Sequence, residues 1–102
     1  MGVTMPADAP LAMQWKAAMT NAVTLHANGH RDWRVPSTVE LNVLFQNRAA
    51  IGGFNASGSE TAGWYWSSAE YGNFDAWGQR FSDGDQYFYD RRYVSASLRL
   101  VR

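Results

Sequence analysis

Asp32-Trp33-Arg34-Val35-Pro36-Ser37-Thr38-Val39-Glu40-Leu41 is the stretch that orders the chain on either side of it. Pro36 closes a short extended run, and Ser37 and Glu40 stand at the spacing of a capping box. In that motif the serine hydroxyl and the glutamate carboxylate satisfy backbone N–H groups at the start of a helix. The helix so opened carries Leu41, Leu44 and Phe45 on one face and should end near Arg48. Upstream, Leu11, Trp15, Ala18, Ala22 and Leu25 recur at steps of four and three, which predicts an amphipathic helix over 11–25. Asp8 would cap its start, Pro10 would fit its first turn, and Gly29 would supply the left-handed stop. Downstream, Ile51-Gly52-Gly53-Phe54 breaks into a loop rich in Gly, Ser and Thr. After Gly63 the pattern turns to strands. Trp64-Tyr65-Trp66-Ser67-Ser68 is β-prone, and Ala76 to Phe81 alternates Trp77, Gln79 and Phe81 against small and polar residues. Ser82-Asp83-Gly84-Asp85 is a turn signal, and Tyr87 to Tyr93 and Ser97 to Val101 read as further strands or strand-like loops. Two helices packed on short, mainly antiparallel strands make an α+β domain. Residues 1–8 are expected as a loose lead-in and 9–102 as one domain.

Composition narrows the function. The 102 residues carry 9 Lys+Arg and 9 Asp+Glu, so the formal net charge is zero. Proteins that embrace nucleic acid phosphates usually carry a basic excess, so no nucleic acid partner is expected. No run approaches the ~20 apolar residues of a membrane helix, and no signal peptide is evident. Cysteine is absent, which removes disulfides, thiolate nucleophiles and cysteine zinc sites together. Five each of Trp, Tyr and Phe in so short a chain exceed what its core can hide, and exposed rings point to binding.

Catalytic constellations are weak. His26 and His30 sit at the end of the first helix, where an imidazolium suits the dipole, and no nucleophile elbow accompanies them. Asp83, Asp85 and Asp90 could offer oxygens to a hard cation, but their spacing matches no EF-hand and Asp-Gly-Asp is an ordinary turn. No metal or cofactor is therefore expected. Arg34, Arg99 and Arg102 flank apolar residues and suit fork-type pairing with Asp32 or Glu40. Trp15, Trp33, Trp64, Trp66, Trp77, Phe45, Phe54 and Phe81 lie in periodic contexts and are assigned to the core. A second set, Tyr71, Asn73, Phe74, Asp75, Asp85, Tyr87, Phe88, Tyr89, Asp90, Arg92 and Tyr93, follows no core period. Rings with large contact area beside Asp, Asn and Arg are the composition of a binding surface, and these eleven are expected to converge on one face.

The order Asp32 to Leu41, then Tyr65-Trp66-Ser67-Ser68, then Leu98-Arg99-Leu100-Val101-Arg102 carries a resemblance from about Trp15 onward. The chain resembles bacterial domains related to the C-terminal domain of a collagen-like adhesin. These have a C-type-lectin-like fold and are distant relatives of the formylglycine-generating enzymes. Within that group, Arg48 to Phe54 together with Trp77 and Gln79 to Gly84 look like the variable proteins of diversity-generating retroelements. There a reverse transcriptase rewrites adenines in a repeat encoding the C-terminal part. Adenine changes in an Asn codon give Tyr, Asp, Phe, Ser, Gly, Arg or Val, the types clustered at 71–75 and 85–94.

The chain also departs from its relatives. Their cysteines near the end of helix 1 and in the closing strand are replaced by apolar residues such as Ala22 and Leu100. The formylglycine chemistry lacks its cysteines, and the sugar-and-calcium tripeptides of animal C-type lectins are missing. The resemblance implies a non-enzymatic domain that binds a protein or glycan ligand on a cell or phage surface. It could act as a homo-oligomer or as part of a larger chain, in a phage virion or on a bacterial surface. A carbohydrate-binding adhesin module, or an assembly domain of a phage tail or surface protein, are the alternatives.

Overall fold

The computed structural model describes residues 2–58 and 62–102. Met1 of the expected lead-in and residues 59–61 of the Gly/Ser/Thr loop lie outside the described residues. Three helices, α1 Trp15–Thr24, α2 Thr38–Gln46 and the one-turn α3 Arg48–Ile51, precede three strands. The strands β1 Trp64–Tyr71, β2 Asp75–Arg80 and β3 Gln86–Asp90 form an antiparallel sheet in the order β1-β2-β3. The domain is α+β.

The capping box forms as its residues require. Ser37 Oγ accepts from Glu40 N–H at 3.1 Å, and Glu40 Oε1 accepts from Ser37 N–H at 3.0 Å. The same carboxylate takes both guanidinium nitrogens of Arg34, at 2.6 and 2.5 Å. Leu41 and Leu44 are buried beneath it, so α2 lays one stripe on the sheet.

The first helix is shorter than its periodicity suggests. It starts at Trp15, with Gln14 at the cap making no side-chain bond, and ends at Thr24. Residues 5–13 are held extended by the C-terminal segment: Met5 N–H reaches Leu100 O, Ala9 N–H reaches Leu98 O, and Met13 and Ala96 exchange two bonds. Those non-local bonds satisfy the backbone that a longer helix would have used. Leu11 is consequently exposed and Asp8 caps nothing. Gly29 does not stop the helix. With Asn28 at φ 52° and Gly29 at φ 78°, it forms a two-residue hairpin turn joining Ala27 and His30. Residues 2–5, expected to be loose, are likewise bonded to Leu100 and Arg102.

The sheet separates two cores. Trp64 and Trp66 of β1 point to one face with Ala76, Ala18, Ala22, Trp33 and Leu98. Tyr65 points to the other, with Leu41, Leu44, Phe81 and Val101. Residues 64–67 are buried, so this half of β1 is covered on both faces although β1 is an outer strand in the order β1-β2-β3. Its outer side meets the last segment, where Trp66 N–H bonds Ser97 O and Ser97 N–H bonds Trp64 O. Ser97 to Val101 thus forms single bridges, with Val101 joined to both Thr4 and Arg34, and no strand of the sheet. Each buried Trp or Leu contributes about 1.5–3 kcal/mol of hydrophobic stabilisation, so these few residues dominate so small a domain. Gly84 marks the tightest point of the β2–β3 turn. Its φ is 85°, and a Cβ there would fall 2.5 Å from the Phe45 ring.

Candidate functional site

The register of β2 and β3 builds the surface. Trp77 lies opposite Phe88 and Asp75 opposite Asp90, all on the face that α2 covers further along. A bulge in β1 between Trp66 and Glu70 brings Tyr71 opposite Asp75, onto that same face. Ser67 Oγ fills the interruption, donating to Trp77 O at 2.7 Å and accepting from Ala69 N–H at 3.1 Å. The result is a ladder of rings. Tyr71 stacks on Phe88 with centroids 4.1 Å apart, Phe88 stacks on Tyr87 at 4.7 Å, and Trp77 meets Tyr71 and Phe88 edge-on. Tyr71 is 46% and Tyr87 52% exposed, so the ladder shows ring surface to solvent while Trp77 fixes its position.

A second cluster sits at the β1–β2 turn. Arg91 holds that turn from behind: its backbone N–H reaches Phe74 O at 2.8 Å and Nη2 reaches Asn73 O at 2.7 Å. Its Nη1 pairs with Glu70 at 3.0 Å, and its guanidinium lies over the Trp15 ring. Arg92 grips Asp90 with two nitrogens, at 3.1 and 2.9 Å, and stands over the rings of Phe74 and Tyr93. Asp75 and Asp90 would repel across the strand pair without it. The hydrogen bonds from Arg92 hold the Asp90 carboxyl below its ordinary value, while Asp90 first and Asp75 after it push the guanidinium up. Phe74 and Tyr93 are among the most exposed large side chains of the domain.

The eleven expected residues therefore do not share one face. Tyr71, Phe88 and Tyr87 form the ladder, and Asn73, Phe74, Asp75, Asp90, Arg92 and Tyr93 gather at the neighbouring turn. Tyr87 and Tyr89, opposite Gly78 and Ala76, both alternate with Phe88 along the strand and have their rings 6.1 Å apart; Tyr87 still lays its ring on Phe88, while Tyr89 is edge-on to Trp64 at 5.0 Å and packed against the first core. Asp85 lies at the other end of the strands, in the β2–β3 turn, 4.0 Å from Arg80. The carboxylates considered for a cation are divided the same way. Asp83 is bound by Arg80 at 2.9 and 2.5 Å, which holds its pKa down at about 2, and Asp90 belongs to Arg92. Among the described residues no group of three or more His, Asp or Glu side chains is arranged to hold a metal.

Two residues escaped the sequence argument. Trp77 was assigned to the core but lies half-buried under the ladder; counting back across the Ser82–Asp85 turn would have set it opposite Phe88. Arg91 was passed over between its more conspicuous neighbours, and no local pattern marks a guanidinium that bonds a carbonyl eighteen residues away.

The family model described as the Lcl C-terminal domain matches residues 4–102. The chain belongs to that family. The match includes the N-terminal segment bonded to Leu98, Leu100 and Arg102, so that segment is part of the Lcl domain. A search of the curated proteins gave no match. Membership agrees with the collagen-like adhesin resemblance and makes this an adhesin-like surface domain.

Proposed function

We propose that this Lcl C-terminal domain is a non-catalytic binding module on a C-type-lectin-like framework, with a diversified aromatic and polar surface. Its ligand is a protein or glycan on a cell or phage surface. The stacked rings of Tyr71, Phe88 and Tyr87, the two tyrosines half-exposed and Phe88 partly buried between them, carry this reading, because rings held in place lose little entropy when a ligand covers them. Arg92, Asp90 and Asn73 beside them supply directional hydrogen bonding. The placement of these residue types supports diversification. Of the residue types reachable by adenine changes, Tyr71, Asn73, Phe74, Asp85, Tyr87, Arg92 and Tyr93 are exposed while Asp75, Phe88, Tyr89 and Asp90 are partly buried, whereas Phe81 has no exposure and Gly84 has no room for a Cβ.

Two measurements test it. A glycan array and a panel of bacterial cells would identify a target, and the double substitution Tyr71→Ala, Tyr87→Ala should then weaken binding at least tenfold with little change in melting temperature. A binding loss matched by a stability loss would make the rings structural and end the proposal. Genomic DNA downstream should hold a near-copy of the segment encoding residues 70–102, differing only at adenines, beside a reverse transcriptase gene. Its absence would leave a fixed binding site and remove the diversification.

A further inference from the structure

Charge is unevenly divided along this neutral chain. Residues 64–93 hold Glu70, Asp75, Asp83, Asp85 and Asp90 against Arg80, Arg91 and Arg92, so the part that builds the ladder is negative by two and the remainder positive by two. All three of these guanidiniums are already committed. Arg80 holds Asp83 and stands 4.0 Å from Asp85, Arg91 pairs with Glu70, and Arg92 forks onto Asp90. Asp75 is left over: among the described residues its partly buried carboxylate makes no hydrogen bond or ion pair. Its position is unfavourable in the free domain, because it stands directly opposite Asp90, and like charges so placed destabilise a strand pair. Across the other strand pair Asp75 stands opposite Tyr71, and Trp77 follows two residues later on the same face. The unpaired charge therefore sits beside the ladder of rings.

The neighbouring turn shows which group such a place accepts. There the Arg92 guanidinium lies 4.0 Å from the centre of the Phe74 ring while two of its nitrogens bond Asp90. Tyr71 and Asp75 offer the same combination of ring and carboxylate, but among the described residues no guanidinium lies over Tyr71, Phe88 or Tyr87. We infer that the ladder takes an arginine side chain of a protein partner, its guanidinium laid on the Tyr71 ring and forked onto the Asp75 carboxylate. This occupant presumes the proposed binding role of the ladder and narrows its ligand to a protein with an exposed arginine. A guanidinium suits the place better than an ammonium, because its plane stacks on a ring while two parallel N–H groups meet both carboxylate oxygens. It also offsets the repulsion between Asp75 and Asp90. An anionic glycan would add negative charge where there is already an excess, and a neutral sugar would leave Asp75 uncompensated.

NMR titration of the isotope-labelled domain with the tripeptide acetyl-Gly-Arg-Gly-amide tests the anchor. The Trp77 indole N–H and the backbone N–H groups of Tyr71 and Asp75 should shift together, with a dissociation constant of about 1–10 mM for so small a ligand. The neutral isostere with citrulline in place of arginine should bind about tenfold more weakly, as should the arginine peptide to Asp75→Asn, since a charge-assisted bond is lost. Asp75→Asn should not lower the melting temperature, because it removes a like-charge pair. Citrulline binding as tightly as arginine, unchanged binding to Asp75→Asn, or no shift at peptide concentrations well above that range would each overturn the anchor. The citrulline comparison uses only the wild-type protein and decides even where the variant folds poorly. Failure of the anchor is separable from failure of the binding surface. A target from the glycan array or the cells that is lost by Tyr71→Ala, Tyr87→Ala but kept by Asp75→Asn retires the arginine and leaves the surface standing. A protein target lost by both supports it.

Discussion

Arg99 carries a full positive charge at a position without solvent access. It is tolerated because every side of it is occupied. Nε donates to Asp8 at 2.8 Å, Nη1 to Met5 O and Nη2 to Gly52 O, and the Phe54 ring lies 3.9 Å beneath. Tyr65 hydroxyl donates to the other oxygen of Asp8 and accepts from Asn55 N–H. Burial and that bond push the phenol well above its ordinary pKa, so it stays protonated. Removing one partner of a buried pair costs about 3–5 kcal/mol, and urea denaturation of Arg99→Met should show a loss near the low end because Asp8 is partly solvated. Arg99→Lys should recover only a minor part of it, since an ammonium cannot span the three acceptors and lie flat on Phe54. At this scale the sequence was half legible. Arg34 with Glu40 and Arg102 with Asp32 form as their composition suggests, the latter at 2.7 and 3.2 Å. The partner of Arg99 is ninety-one residues away, on a segment whose docking no local pattern announces.

Among the elements, α2 has the most self-sufficient start. Arg34 is the main cause that holds the Glu40 carboxyl down at about 2, with the Ser37 backbone N–H assisting. A depressed carboxyl stabilises the fold above its unfolded pKa of about 4.3 and loses that contribution as pH falls toward 2. With Arg34 half exposed, solvent screening leaves about 1–2 kcal/mol. The difference in urea-unfolding free energy between wild type and Glu40→Gln should therefore be largest near pH 7 and shrink by pH 3. A difference independent of pH would assign the effect to the cap alone. Such an element can be read from sequence because its determinants lie within a few residues. The start of α1 cannot, because residues 5–13 answer to bonds from Ala96, Leu98 and Leu100 and not to their own periodicity. The rings of the ladder fall between these cases. Their exposure was legible from a composition without a core period, but the position of Tyr71 depends on the β1 bulge, and Tyr89 lies on the face opposite Phe88 through the simple alternation of β3.

For the whole molecule, the first dozen residues act as a strand of the domain though they belong to no sheet. They bond Leu98, Leu100 and Arg102, bring Asp8 to Arg99, and support the carbonyl of Met13 that receives Trp66 Nε1 at 2.7 Å. Deleting residues 1–8 should therefore lower the melting temperature by at least about 10 °C, since ~1 kcal/mol shifts a domain of this size by about 4–8 °C. A change of a degree or two, measured by circular dichroism, would make the segment an ornament. The same arrangement sets Gly2 and Val3 N–H against Arg102 O, with the two chain ends antiparallel and side by side. Mechanical load then has a direction. Tension drawn between the two ends would open their bonds one after another, as a zipper opens, at low force. Tension drawn from the N-terminal end against something gripped at Tyr71 and Phe74 would instead pull residues 2–13 lengthwise past the C-terminal segment, loading those bonds together. A surface domain held in this second way would resist a tug that parts it easily in the first.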